Sequence, residues 1–562
     1  LGRISLLPGL VREWPCGTGV AGVAAMASKS ASTKLPAYTK VEPERFATPV
    51  KRLGVSGGTA PFFALQEHRQ GDVWIGKDLS HALDEITFYE QVHRSRESPE
   101  GGLQDLLRFM FGYEGVLEVR EDTAKPGDPP LNLIVMQNLR SGAKKLRMLD
   151  IKIGEKTAAA GWQGKSRLRA MKQSLVDSMT NSYAEGFRLE GFDEQPPALL
   201  SIDPLLDIGG SDDKKLAKKT HRMMLQRMSA ADFLTHFLDV HQVPGDISDA
   251  QLMSTLAPVE LIEVVHRETV SRLYKLATAC RQVTVPQKWI GSSVALAFDA
   301  GELPRRRAPE ADIRKKVKVF IFDWGRSEFN TPAKYQAMSA SDRADREKFW
   351  KSYTCSLDRL AFEVERAYQH RFSSTEWKEV RLTVYDFDSM SENDFLGRVV
   401  VTLNEHSKDT TVVLRNKDGN AVSGRAGPSS ITFSIERRSF PSSSRMLASW
   451  RVHVLKAANL PVGDALQGSS DPFVEVEGIS ANEGAGFTQQ TSIVAKNLNP
   501  TWNETFDLPL LRKPLQPRLV AEERKSSLVG GLISWFACSC SPSVSRQSSS
   551  TNPSPASTLE EA

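Results

Sequence analysis

A handful of side chains in this sequence have the types and spacing that phosphate chemistry requires. Asp150 and Lys152, in "LDIKIG", lie two residues apart in an apolar run that ends at Gly154. Residues i and i+2 of a strand project to one face, so a carboxylate and an ammonium can converge there on one ligand. Lys77 falls in "VWIGKDL" and Glu85 in "LDEITFYEQVHRS". A strand Lys oriented by a helix Glu is a device for holding nucleotide phosphates. Upstream, "GVSGGTA" carries Gly57 and Gly58 in a turn whose backbone N–H groups could approach phosphate. Asp323 closes the apolar run "VKVFIFDWGRS"; an Asp there, followed by an aromatic and Gly, can present its carboxylate to Mg²⁺. "GKSRLRAMKQ" adds Lys165, Arg167, Arg169 and Lys172, cations of the kind that bind substrate phosphates. Each feature also has a plain structural reading: a turn, an N-cap, an ion pair at a sheet edge, a solvated helix face.

A second group of acids suits a different ion. Asp386, Asp388 and Asp394 bracket a loop in "LTVYDFDSMSENDFLGRVVVTL". Carboxylates converging from loops between strands match Ca²⁺, a hard cation that takes six to eight oxygens.

The elements that must position these residues change character along the chain. From 46 to 371 strand-like runs ("VWIGKDL", "NLIVMQNL", "LRMLDIKIG", "SSVALAFD", "VKVFIFDW") alternate with helical periodicity, strongest in "PVELIEVVHRETVSRLYKLATAC" and "DREKFWKSYTCSLDRLAFEVERAYQHRF". From 377 to 512 short β segments are separated by Asp, Asn, Gly and Ser, which marks a domain boundary. Residues 1–45 read as a leader and linker, with Met26 a candidate start, and 513–562 as a low-complexity Ser/Pro tail expected to be disordered. The tail's "LVGGLISWFACSC" is too short to span a bilayer, and Cys538 or Cys540 in it is a candidate lipid attachment point.

At 562 residues, with 40% hydrophobic and 25% charged side chains, the chain is long enough for several globular cores. A net charge of +4 gives no field for binding nucleic acid, so an anionic partner must meet local basic patches. Five scattered cysteines exclude a disulfide framework and fit a reducing, cytoplasmic or nuclear setting. The absence of an H-R-D…N catalytic loop argues against a protein kinase.

"LDIKIG", "NSYAEGFRLEGF", "GSSVALAFD" and "IFDWGRS", in that order, resemble the signature blocks of the inositol polyphosphate kinase family, over roughly residues 50 to 370. The resemblance implies a two-lobed α+β kinase fold, ATP and Mg²⁺ as cofactors, and a soluble inositol phosphate as substrate. "GFRLEGF" and "DWGRS" look closer to the inositol trisphosphate 3-kinase branch. It further implies that Asp150 contacts the reacting hydroxyl, that Lys152 neutralises phosphate charge, and that Met136 to Asn138 form an adenine hinge. Arg188 becomes a candidate substrate ligand. Three positions depart from the family pattern: Leu146 stands where a Pro is usual, Gln137 near a usual acid, and Trp324 for Phe.

The region after 377 resembles the C2 domain family in reversed order. Its carboxyl half (377–437) precedes its amino half (447–512). Either the halves fold together as one permuted domain or each is the remnant of a separate domain, and the remnant reading is slightly favoured. The resemblance implies an all-β sandwich, Asp464 and Asp471 in "NLPVGDALQGSSDPFVEVEG" as ligands of a first calcium loop, and calcium-dependent contact with an anionic membrane. The leading expectation is thus an ATP-dependent inositol polyphosphate kinase recruited to membranes. A non-catalytic calcium and phospholipid adaptor and a phosphoinositide lipid kinase are the alternatives.

Overall fold

The computed structural model describes residues 37–55, 60–97, 99–125, 127–143, 146–157, 167–193, 226, 258–299, 310–372, 374–388, 393–404, 406–442, 444–463, 468–480 and 486–512. The leader, Gly57, Gly58, Lys165, Asp464 and the tail lie outside them, and the side chains of Arg167 and Arg169 are likewise outside the described set.

Alternating apolar residues between 40 and 137 build an amino-terminal sheet. Its strands β1 (Lys40–Val41), β2 (Lys51–Val55), β3 (Pro61–Glu67), β4 (Gly71–Asp78), β5 (Tyr113–Val119) and β6 (Leu131–Gln137) lie in the order β1-β5-β6-β4-β3-β2. Helix α1 (Leu83–Glu97) buries Ile86, Phe88, Tyr89 and Val92, four positions at helical spacing, and so turns Glu85 toward the interior as well.

The second lobe is a sheet of order β10-β9-β7-β8, formed by β7 (Leu146–Ile153), β8 (Phe187–Asp193), β9 (Ser293–Asp299) and β10 (Val317–Phe322). In β7 the core face takes Leu149, Ile151 and Ile153, leaving Met148, Asp150 and Lys152 half-buried on the other. Leu146, at the first position of β7, is 3% exposed and pairs with Asp299, so a large aliphatic residue fills the place where the family carries Pro. Short helices α2 (Leu103–Leu106), α3 (Arg167–Ser178) and α4 (Asn181–Glu185) flank the long α5 (Pro258–Gln282). They are followed by α6 (Glu310–Lys316), α7 (Pro332–Gln336) and the 32-residue α8 (Ala340–Arg371). One apolar cluster runs through α1, β7, α5, β9, β10 and α8.

Strands β11 (Trp377–Asp386) to β20 (Thr501–Leu511) correct the remnant expectation. One sheet has the order β12 (Asp394–Thr402)-β11-β18 (Pro472–Ser480)-β19 (Gly486–Gln490). The other runs β13 (Ser407–Val413)-β16 (Ser430–Ser439)-β17 (Met446–Ala458)-β20, with a small β14–β15 ribbon at 423–428 beside them. Each sheet therefore takes strands from both halves, and one core holds Val380, Leu382 and Phe433 with Val452, Val476 and Phe506. The Trp377 indole N–H, in the first half, donates to the Pro509 carbonyl in the second at 2.8 Å. The physical reason is that either half alone has an amphipathic face and nothing to cover it.

This sandwich is fastened to the kinase-like part. Met446 opens β17 yet is 1% exposed within the α5/α8 apolar cluster. Ser444 hydrogen-bonds Glu260, and Arg445 pairs with Glu263 at 3.3 Å. The Arg371 guanidinium, at the end of α8, lies 5.2 Å from the Phe487 ring centroid on β19.

Candidate active site

The cleft between the two sheets is organised by two lysine–carboxylate pairs. Lys77, on β4, meets Glu85, on α1, at 2.5 Å; their side chains are 14% and 7% exposed. Lys152, on β7, meets Asp323 at 3.1 Å. Asp323 follows β10 with φ +65°, a left-handed conformation that Asp tolerates better than most residues. The next residue explains how that turn is held: the Trp324 ring stacks on Phe88 of α1 at 4.1 Å and meets Trp289 edge-on at 5.0 Å. Gly325 then brings its backbone against Glu85, with space for a Cβ only 3.6 Å from Oε1. One aromatic stack thus locks α1, which carries Glu85, to the turn that carries Asp323.

Charge is distributed unevenly among the carboxylates. Burial would raise Asp323, but Lys152, Lys77 and Arg326 outweigh it and hold the carboxyl below its ordinary value. Burial pushes Asp150 up to about 6; Lys152 opposes that shift, while Glu190 and Asp323 add to it. Asp150 Oδ1 is enclosed beside the Ser293 hydroxyl, which stands across the β7–β9 ladder from Lys152 and, as a hydrogen-bond partner of Asp150, opposes the rise. Burial pulls Lys152 down, but Asp323, Glu190 and Asp150 together leave it raised, so it stays an ammonium. An ionised carboxylate, Asp323, therefore sits among three cations, next to a second carboxylate that titrates at about 6. That arrangement can hold phosphate, ligate Mg²⁺ and accept a proton from a hydroxyl.

Some expected ligands are engaged elsewhere. Arg188 is 3% exposed and its guanidinium is consumed by Asp177 at 2.6 Å, Glu190 at 3.0 Å and Ser182 at 3.1 Å, so it braces β8 rather than facing a substrate. At the expected hinge, the Asn138 N–H donates to Val73 O at 2.7 Å and the Gln137 N–H to Gly112 O at 2.9 Å. Met136 is paired to both Ile75 and Tyr113 within the sheet, and the Gln137 and Asn138 amides are bonded within the fold. Lys172 is exposed on α3. One residue not singled out from the sequence enters the site, Glu190, which acts on both Asp150 and Lys152; Ser293, from the "GSSVALAFD" block, joins it beside Asp150. The alternation of β8 is the signal for Glu190, since it falls opposite the Asp150–Ile151 irregularity.

Residues 133–393 match the inositol polyphosphate kinase family. The stretch that is similar to this family makes up just under half of the chain. The match begins inside β6, so Lys77 and Glu85 lie before it, and ends in the segment between β11 and β12. Among solved structures, an inositol phosphate multikinase from S. cerevisiae, in complex with ADP and Mn²⁺, is 17% identical with TM-score 0.33, covering 52% of this chain and 98% of that one. Residues 448–527 match the C2 domain family. Synaptotagmin-C of Diplobatis ommata is 33% identical over 144 residues, 25% of each protein. Ras GTPase-activating protein 4 of Mus musculus is 33% identical over 147 residues, 25% of this chain and 16% of that protein. The chain spans about a quarter or less of the length of these curated relatives.

In the C2 region, Asp386 is 2% exposed and its Oδ1 accepts the Asp471 N–H at 2.5 Å. Asp471 Oδ1 accepts from Lys496 N at 2.6 Å, and Asp394 stands across the ladder from Asp386. The Asp388 N–H donates to Asn393 Oδ1. The sandwich thus joins the two acidic loops through Asp386 and Asp471. Among the described residues, no three His, Cys, Asp or Glu side chains are grouped to hold a metal ion. The described set does not by itself make a calcium site.

Proposed function

We propose that the chain transfers the γ-phosphoryl group of ATP to a hydroxyl of a soluble inositol polyphosphate, with an inositol trisphosphate 3-kinase-like substrate favoured by "GFRLEGF" and "DWGRS". The observation that carries this reading is the convergence of Lys77–Glu85 and Lys152–Asp323 beside the enclosed Asp150 carboxylate. Lys77, oriented by Glu85, holds nucleotide phosphate. Asp150, ionised above about pH 6, accepts the hydroxyl proton as the hydroxyl oxygen bonds to phosphorus and the bond to the β-phosphate oxygen breaks, releasing ADP. Lys152 neutralises charge on the phosphoryl oxygens. Asp323 would hold Mg²⁺, which when bound supplies further charge neutralisation during in-line transfer. The C2 sandwich recruits the chain to anionic membrane, with Ca²⁺ at Asp386, Asp388, Asp394, Asp464 and Asp471 as the expected trigger.

The test is to incubate the full chain with ATP, Mg²⁺ and a panel of inositol phosphates and phosphoinositides, beside Asp323→Ala. Turnover of a soluble inositol phosphate that Asp323→Ala abolishes supports the reading. No turnover would leave an adaptor, and turnover of lipid alone would make the chain a lipid kinase. Liposome sedimentation with and without Ca²⁺ tests the sandwich.

A further inference from the structure

Helix α3 and the turn after it present an apolar stripe to solvent. Met171, Leu175, Met179 and Tyr183 recur every fourth residue and are 70%, 61%, 47% and 73% exposed. The first three share a face, because the Met179 N–H still donates to Leu175 O and Val176 O in helical fashion. The opposite side of the helix is fixed. Gln173 and Asp177 stand two residues, or about 200° of helix, from the stripe. Asp177 is 3% exposed and accepts bonds from Thr157 N, Thr157 Oγ1, Gln173 and Arg188. The stripe is therefore an outward face that this packing cannot turn inward.

Its charge is one-sided. The acids in residues 167–185 are Asp177, which is buried, and Glu185, which is half-buried at the end of α4, while Lys172 is exposed beside Met171 and Arg167 and Arg169 precede it on the same helix. Exposed Met, Leu and Tyr in a stretch where Lys and Arg outnumber the acids is the composition of a helix that lies in a lipid headgroup layer. We propose that this face of the kinase domain docks on an anionic lipid surface, as a second membrane contact that does not require calcium. A docked α3 would hold the cleft at the membrane, because Thr157, which it clamps, follows the strand that carries Asp150 and Lys152. This inference is independent of the calcium trigger assigned to the sandwich.

The experiment is sedimentation of the full chain with phosphatidylcholine vesicles, with and without about 30 mol% phosphatidylserine, in excess EGTA. The wild type is expected to sediment with the anionic vesicles only. Leu175→Glu together with Met179→Glu is expected to weaken that partition about tenfold or more, with an unchanged melting temperature. Equal binding by wild type and variant would overturn the proposal, as would wild-type binding that appears only with Ca²⁺, which would leave the sandwich as the membrane contact. A large fall in the variant's melting temperature would also overturn it, by showing that protein covers the stripe.

Discussion

Arg188→Met separates a bracing role from a substrate-binding one. The wild-type guanidinium is enclosed with Asp177 and Glu190, whose side chains are 4% and 7% exposed, and makes three hydrogen bonds. Removing one member of a buried ion pair costs about 3–5 kcal/mol, because the remaining charge loses its compensation. Asp177 keeps bonds from Thr157 N, Thr157 Oγ1 and Gln173, and Glu190 keeps one from Gln226, which places the loss near the lower end, about 3 kcal/mol. Met matches the length of the aliphatic stem, so little of the loss reflects a cavity. Urea unfolding followed by circular dichroism should show a lower midpoint with an unchanged slope. Steady-state assays below that midpoint should give a KM for the inositol substrate close to the wild-type value. The reasoning fails if the midpoint is unchanged and KM rises, since that would put Arg188 on the substrate.

Asp150→Asn should stabilise the fold by about 1–3 kcal/mol at pH 8 and by nothing measurable near pH 4. The sign follows from the raised value: the native state binds this proton more tightly than the unfolded chain, so the penalty of ionising Asp150 is absent below its ordinary value and complete above about pH 6. The same substitution should abolish turnover, whereas the wild-type kcat/KM should fall about tenfold between pH 7 and pH 5 as Asp150 protonates; a flat wild-type profile would remove Asp150 as the base. Lys77→Met should lower kcat/KM about 100-fold, read from ADP release, and a change under tenfold would mean the Lys77–Glu85 pair is structural. Met446→Ala should cost about 2–4 kcal/mol, and calorimetry should show the kinase and sandwich transitions moving together; a shift of the sandwich transition alone would refute the shared core.

Much of the fold was legible because its signals are local. The alternation in "LRMLDIKIG" put Asp150 and Lys152 on one face, and β7 keeps them there at the cleft. Lys77 and Glu85 were matched by element type, and the strand–helix step from β4 to α1 makes their pair. What was not legible depends on partners distant in sequence. Arg188 reads as an available cation until Asp177, 11 residues earlier, is folded against it. The amides of Gln137 and Asn138 read as hinge donors until Gly112 and Val73 take them. The fate of the two C2 halves could not be read from either, since which strand covers an apolar face is decided by a pairing such as Leu382 with Val476, almost a hundred residues apart.

That pairing also accounts for the unusual order of the sandwich. A β-sandwich is defined by which strands are neighbours, and the chain may enter at any edge where a short connection can replace the lost one. Here β16 and β17 are adjacent and antiparallel, so the short segment from Ser439 to Met446 suffices to join the carboxyl half to the amino half. The same segment lies on α5, through Ser444 with Glu260 and Arg445 with Glu263, and delivers Met446 into the kinase core. The permutation therefore moves the junction of the sandwich to the side where the kinase is. In an unpermuted order this connection would be broken by chain termini, and two free ends would replace the one loop that binds the domains together. The reversed order and the domain contact have a common physical cause, a single hairpin that closes the sandwich and plugs the kinase lobe at once.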